Sequence, residues 1–276
     1  MNPGAPLSDD ASRGALAQAS RIEPVDEAAY AWRVPDGWQQ GRGAFGGLVI
    51  AALARAALAT EHDTARRLRS LTAELCGPAQ VGDARIVVEW LRRGSKLSNL
   101  EARLLQSGEV VARAGFVLAE ARRAVELPAL EPPRALGAGW EAIEPVPLGP
   151  PLGPVFSQHY AYRLTAHPPF AGAREARAEG WVSARGGGAL DVPAVLALLD
   201  VWWPAHFATL EAPRPSATVS FTAQLLVDPT ELAAEPLYHR ARTVASSGGY
   251  LVELRELWAR DGRLVALNQQ SFASLG

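Results

Sequence analysis

Ser70-Leu71-Thr72-Ala73-Glu74-Leu75, followed by Pro78, and Ser220-Phe221-Thr222-Ala223-Gln224-Leu225, followed by Pro229, are two copies of one pattern, 150 positions apart. A second match follows in the same order. Gly94, Leu97, Leu100 and Gly108-Glu109-Val110-Val111-Ala112 align with Gly248, Leu251, Leu254 and Gly262-Arg263-Leu264-Val265-Ala266 at an offset of 154. Two ordered matches separated by a four-residue insertion are the signature of a duplicated unit. The 276 residues are enough for two domains of ordinary size.

Periodicity shows what the unit contains. Gly46 to Ala59 is apolar nearly all round, broken only by Arg55, as expected of a helix packed on several sides. Behind it, Ala84 to Leu91, Leu97 to Gln106 and Glu109 to Glu120 read as strands, the last two joined by the tight turn Ser107-Gly108. The second unit predicts strands at Ser157–Thr165 and Arg174–Arg185, then a helix over Val192–Leu210 with Asp191 as N-cap and Pro193 in its first turn. Strands follow at Ala217–Val227, Pro236–Ala245, Tyr250–Arg260 and Arg263–Ala273. One buried helix with an antiparallel meander is an α+β unit, and its sheet must wrap the helix to bury it.

The expected division is a disordered leader over 1–20, a first unit over 21–126, a linker over 127–154 and a second unit over 155–276. The linker stands out because Pro128, Pro132, Pro133, Pro145, Pro147, Pro150, Pro151 and Pro154 block helix and central strand alike.

Composition excludes several functions. Apolar residues make up 48% and charged residues 20%, a globular balance. The net charge of −2 leaves no basic excess for nucleic acid. The single cysteine, Cys76, rules out a disulfide framework and predicts a reducing, cytoplasmic setting. The longest apolar stretch, Leu48 to Leu58, is too short for a bilayer and contains Arg55. The expected partners therefore include neither nucleic acid nor membrane.

Ala44-Phe45-Gly46-Gly47-Leu48-Val49, opening the first helix, resembles the start of the hotdog helix in acyl-CoA thioesterase II-like proteins. So does the run Leu71 to Phe116, with Gly77-Pro78-Ala79 and Gly82-Asp83. The resemblance implies two hotdog domains in one chain, their sheets continuous, and hydrolysis of acyl-CoA or acyl-carrier thioesters without a cofactor or metal. That family uses an Asp, a Ser or Thr, and a Gln from its second domain. The matching positions are Asp200 in Leu198-Leu199-Asp200-Val201-Trp202-Trp203, Thr218 before Ser220-Phe221, and Gln270 in the last strand. The sequence departs from the family in having Ser220-Phe221 where an Asp-His pair is usual; Thr222 and Gln269 are the rival hydroxyl and amide. Phe45, Gly46, Gly47, Trp202 and Trp203 are the expected substrate-binding residues.

The repeat supports the same three positions without the family. At offset 150 Thr218 corresponds to Leu68, at offset 154 Gln270 corresponds to Phe116, and the first helix carries no acid between Ala44 and Thr60. A carboxylate in an apolar helix is costly unless hydrogen-bonded or functional. Such an acid can deprotonate a water that Thr and Gln hold, while N–H groups at a helix N-terminus receive the developing oxyanion.

Competing motifs are weaker. Gly41-Arg42-Gly43-Ala44-Phe45-Gly46 spells G-x-G-x-x-G, but a turn-like Pro35-Asp36-Gly37 precedes it and no βαβ unit surrounds it. No G-x-S-x-G occurs, and His62, His159, His167, His206 and His239 lack metal-ligand spacing. A hydratase would pair Asp200 with a suitably spaced His, which is missing; a non-catalytic acyl-ligand binder is the main alternative. Apolar alternation around Trp90 and Trp258 predicts an exposed outer sheet face and a homo-oligomer, most simply a two-fold dimer.

Overall fold

A computed structural model describes residues 14–123, 125, 127, 128 and 130–275. The first half runs α1 (Ala15–Ala19), β1 (Ile22–Asp26), β2 (Ala29–Val34), a miniature hairpin of β3 (Gln39–Gln40) and β4 (Gly43–Ala44), α2 (Gly46–Glu61), β5 (Arg67–Leu75), β6 (Gly82–Arg93), β7 (Leu97–Gln106) and β8 (Glu109–Ala119). The second runs β9 (Tyr160–Leu164), β10 (Arg177–Ala184), α3 (Val192–Asp200), β11 (Ser216–Leu225), β12 (Leu237–Ser247), β13 (Tyr250–Trp258) and β14 (Leu264–Ser274).

All strands but β3 and β4 form one antiparallel sheet in the order β1-β2-β6-β7-β8-β5-β11-β14-β13-β12-β10-β9. The two copies of the opening hexapeptide meet at its centre. Thr72 of β5 lies directly opposite Thr222 of β11, with their hydroxyls 3.3 Å apart, so a two-fold relation between the halves passes between them. Pairing there removes the edges at which each half would otherwise recruit a foreign strand. The duplication extends to irregularities. β5 bulges between Leu68 and Ser70, and β11 between Thr218 and Ser220, 150 residues later.

Register also corrects one alignment. Phe116 opposite Leu100 matches Gln270 opposite Glu253, so the offset is 154 along β8 and β14 but 153 along β7 and β13. The counterpart of Leu100 is Glu253, not Leu254. The connection between β13 and β14 is one residue longer than the Ser107-Gly108 turn, and that residue shifts the strand before it.

The sheet curls around α2 and α3, which pack on each other. α2 is buried on nearly every side because Gly, Ala and Leu fill it. α3 starts where Asp191 Oδ1 accepts the Ala194 N–H at 2.8 Å. It ends at Asp200 instead of continuing to Leu210: Pro204 cannot donate to a helical ladder, and a separate 3-10 turn follows at Ala205–Thr209. The stretch Val192–Thr209, apolar enough by composition to suggest a membrane span, is therefore two pieces, largely packed inside.

Other expectations need correction. Residues 14–20 are not frayed: α1 inserts Leu16, and Ser20 bonds back to the Leu16 carbonyl at 2.7 Å. The rest of the expected leader, 1–13, lies outside the described residues. β1 and β2 went unrecognised because Glu23-Pro24 and Asp26-Glu27 interrupt their alternation. The Pro-rich segment is not a bare linker either. Its 3-10 turn Arg134–Ala138 lays Leu136 on Trp181, Tyr238 and Trp258, with Trp140 and Ile143 alongside. The outer face at Trp258, expected to serve a dimer, is thus covered by the chain itself.

Candidate active site

Asp200, the last residue of α3, is 7% exposed, and two elements converge on it. From the sheet comes Gln270, fully buried in the middle of β14, whose Nε2 donates to Asp200 Oδ1 at 3.0 Å. From the other side comes the N-terminus of α2. A Cβ on Gly46 would stand 2.8 Å from Asp200 Oδ2, and one on Gly47 would strike the Phe45 ring at 2.5 Å and the Ala197 backbone at 3.0 Å. Only glycine allows this approach. No side chain caps α2, so its first N–H groups and the positive end of its dipole face the carboxylate. The Gly47 N–H is close enough to favour the charged form.

Behind Asp200 lies a buried ion pair. Arg255, 1% exposed, donates from Nε to Glu253 Oε1 at 2.7 Å and from Nη1 to the Leu199 carbonyl at 2.9 Å, with Nη1 3.9 Å from Asp200 Oδ1. Glu253 Oε2 accepts the Ala205 N–H at 2.6 Å, tying the ion pair to the turn after α3. Burial pushes the Asp200 carboxyl up to about 6; Arg255 and the Gln270 bond oppose that rise without cancelling it.

Two polar atoms of this corner have no hydrogen-bond partner among the described residues. Gln270 Oε1 is unpaired because its amide nitrogen serves Asp200. The Tyr160 hydroxyl is also unpaired, in a ring packed edge-on against Phe45 and 1% exposed. Burial and then the Asp200 charge push that phenol upward, so it stays a protonated donor. A raised carboxylate, an amide acceptor and a hydroxyl thus surround one helix N-terminus. Phe45 stacked on Phe156 at 3.9 Å, and Trp38 stacked on His159 at 4.0 Å, close this corner from solvent.

The expected residues fall as follows. Thr218 is half-buried opposite Phe272, which the bulge turns to the same inner face as Gln270; no hydrogen bond joins it to Asp200. Thr222 and Gln269 pair with each other, and Thr222 bonds Thr72, away from the carboxylate. Trp202 is buried against Tyr162 and stacked on His239, a packing position, while Trp203 is half-buried beside it. Cys76 is exposed. Among the described residues no His, Cys, Asp or Glu group is placed to hold a metal ion. Tyr160, Glu253 and Arg255 were missed. The signal that could have found the last two is the register of β13, in which they take the places of Leu100 and Ala102.

A helix wrapped by an antiparallel sheet, present twice and joined along β5 and β11, is a tandem hotdog architecture. The chain belongs to the acyl-CoA thioesterase family: the model of that family's N-terminal domain matches residues 34–119 and that of its C-terminal domain residues 132–273. The second match begins inside the Pro-rich segment, which packs on the second half. Among solved structures, a conserved hot dog protein from Alicyclobacillus acidocaldarius is 26% identical, covering 95% of this chain and 98% of its own, with a TM-score of 0.83. The TesB protein of Mycobacterium avium subs paratuberculosis (17% identity, 95% and 98% coverage, TM-score 0.77) and the acyl-CoA thioesterase II TesB2 of Mycobacterium marinum (17%, 95% and 98%, 0.70) share the fold. Among curated proteins, sequence comparison gives no match.

Proposed function

We propose that the chain hydrolyses acyl-CoA or acyl-pantetheine thioesters to a free acid and a thiol, with Asp200 as general base. The observation that carries this reading is the buried Asp200 carboxylate, bonded by Gln270 and set at the open N-terminus of α2. A water beside Asp200 gives its proton to the carboxylate while its oxygen attacks the thioester carbonyl carbon. Gln270 Oε1 accepts the water's second hydrogen, and Thr218 helps hold the water. Negative charge developing on the carbonyl oxygen is received by α2 N–H groups and the Tyr160 hydroxyl. The C–S bond then breaks, and Asp200 returns the proton to the departing thiolate. Phe45, Gly46 and Gly47 shape the reacting end of the pocket.

The test is thiol release from acyl-CoAs of graded chain length by the wild-type chain and by Asp200→Asn. Turnover that Asp200→Asn abolishes supports the reading. Turnover that it leaves intact, or binding of every acyl-CoA with no thiol released, refutes it; the latter outcome is that of an acyl-ligand binder.

A further inference from the structure

A cleft of about 1270 Å³ opens where α3 begins. Its inner wall is apolar, with Leu16 from α1, Leu58 from α2, Leu68 and Leu118 from the first-half sheet, and Leu198 from α3. Leu68 opposite Leu118 matches Thr218 opposite Phe272 in register, so the cleft is the internal counterpart of the Asp200 corner. Counted from the helix starts, Asp200 corresponds to Ala54 and Gly46-Gly47 to Val192-Pro193.

Of the groups assigned to hydrolysis only Tyr160 borders this cleft, from the side of the Asp200 corner. Leu68 stands in the cleft wall for the hydroxyl, while Ala54 and Phe116, the counterparts of the acid and the amide, are buried in the core outside its lining. In the first turn of α3 the Ala194 N–H is already taken by Asp191, whose other oxygen pairs with Arg55 at 3.0 Å, and Pro193 has no N–H to offer. What remains is space, larger than the roughly 300–1,000 Å³ of ordinary ligand pockets. The corresponding space at the Asp200 corner is filled by Phe156 and His159, which precede β9 as α1 precedes β1.

Charge at the rim indicates the headgroup. Arg67 pairs with Asp228 at 2.9 Å and Arg66 with Asp63 at 3.1 Å. Among the described residues Arg21 has no ion pair, Arg163 lies over the Trp140 ring at 5.1 Å, and Glu235 is the lining acid without an ion pair. Glu61 pairs with Arg93, from outside the cleft, at 3.1 Å, so the groups left without an ion pair carry one positive charge in excess.

We propose that this cleft is a second, non-hydrolytic binding site for an acyl chain carrying an anionic headgroup, either a fatty carboxylate or an acyl-CoA. The acyl class of the ligand rests on the hydrolytic reading of the Asp200 corner. The site itself does not.

Isothermal titration of the full chain tests it, with dodecanoate, dodecanoyl-CoA and dodecyltrimethylammonium as probes and Asp200→Asn as the background. Dodecanoyl-CoA is expected to fill two sites per chain, and one once Ala17→Trp blocks the cleft from α1. Dodecanoate should bind at least tenfold more weakly in Ala17→Trp and in Arg163→Glu, and the cationic amphiphile at least tenfold more weakly than dodecanoate. If only the CoA ester binds, the headgroup is the nucleotide; if both bind, the carboxylate suffices. Absence of saturable binding, or affinities unchanged by both substitutions, overturns the proposal. So does a rise in KM for dodecanoyl-CoA but not acetyl-CoA in Ala17→Trp, which would make the cleft the substrate's own acyl channel. Should Ala17→Trp fail to fold, Arg163→Glu at the rim decides alone. Binding heat is read without turnover, so loss of the hydrolase reading leaves this test standing.

Discussion

The two corners of the double unit were built from one plan and now differ in almost every polar position. On the inner face of the first-half sheet stand Leu68, Leu100, Ala102 and Phe116; their counterparts in the second half are Thr218, Glu253, Arg255 and Gln270. One helix N-terminus is left uncapped toward Asp200, while the other is closed by its own Asp191. The difference teaches that the fold does not need the polar set. The first half is as well wrapped with leucine and phenylalanine, so wrapping a helix does not require the buried charges of the second half.

Asp200→Asn breaks that asymmetry most directly. It keeps the bond from Gln270 and removes the base, so thiol release should fall by roughly 10²-fold or more. The same substitution should strengthen the fold at neutral pH. The folded carboxyl titrates near 6 against 3.8 unfolded, so the native state holds its proton more tightly. The Asp200 contribution to wild-type stability is then fully present below pH 4 and is lost as pH rises to about 6, a change on the order of 2–3 kcal/mol. Urea unfolding should show Asp200→Asn ahead by that amount at pH 7.5 and level with wild type at pH 3.5. An asparagine variant weaker at pH 7.5 would mean that Asp200 is a stabilising residue.

Next in size is Gly47→Ala. Its methyl group meets the Phe45 ring and the Ala197 backbone, and overpacking of this kind costs about 1–3 kcal/mol. Val192→Ala at the start of α3 should cost less, because it removes atoms from a half-buried side chain instead of forcing a methyl group into packed ones; calorimetric melting compares the two. Smaller again is the effect of the ion pair on the pH profile. Arg255→Met/Glu253→Gln removes both charges together, and since Arg255 is the stronger influence on Asp200, the acid limb of kcat/KM, centred near 6, should move upward. A limb that stays in place would make the pair structural only. Thr222→Val, on the face away from Asp200, should change stability by less than about 0.5 kcal/mol and turnover not at all. A large loss would place the site hydroxyl at Thr222 instead of Thr218.

The duplication was legible because the seam preserves it: Thr72 and Thr222 face each other, so both hexapeptides are held by the same pairing. Asp200 and Gln270 could be read because each is polar where its counterpart is apolar. Glu253 and Arg255 escaped for a geometric reason. Aligned at 154 they fall on Asn99 and Glu101 and read as surface residues, but the true offset of 153 turns them inward, because side chains alternate with period two. Tyr160 was hidden because its significance depends on Phe45, more than a hundred residues earlier. The end of α3 was misjudged because the apolar run continues past Pro204 into a separate turn.

The seam between β5 and β11 also sets a timetable for synthesis. The first half is complete once β8 has emerged, yet the open edge of β5 waits for a partner about a hundred residues further along the chain. At roughly 5–20 residues per second, that wait lasts on the order of 5–20 s on the ribosome. Through that interval the edge is exposed to other nascent chains, and Arg67, Arg69 and Glu74 give it the charges that discourage a foreign strand from docking first.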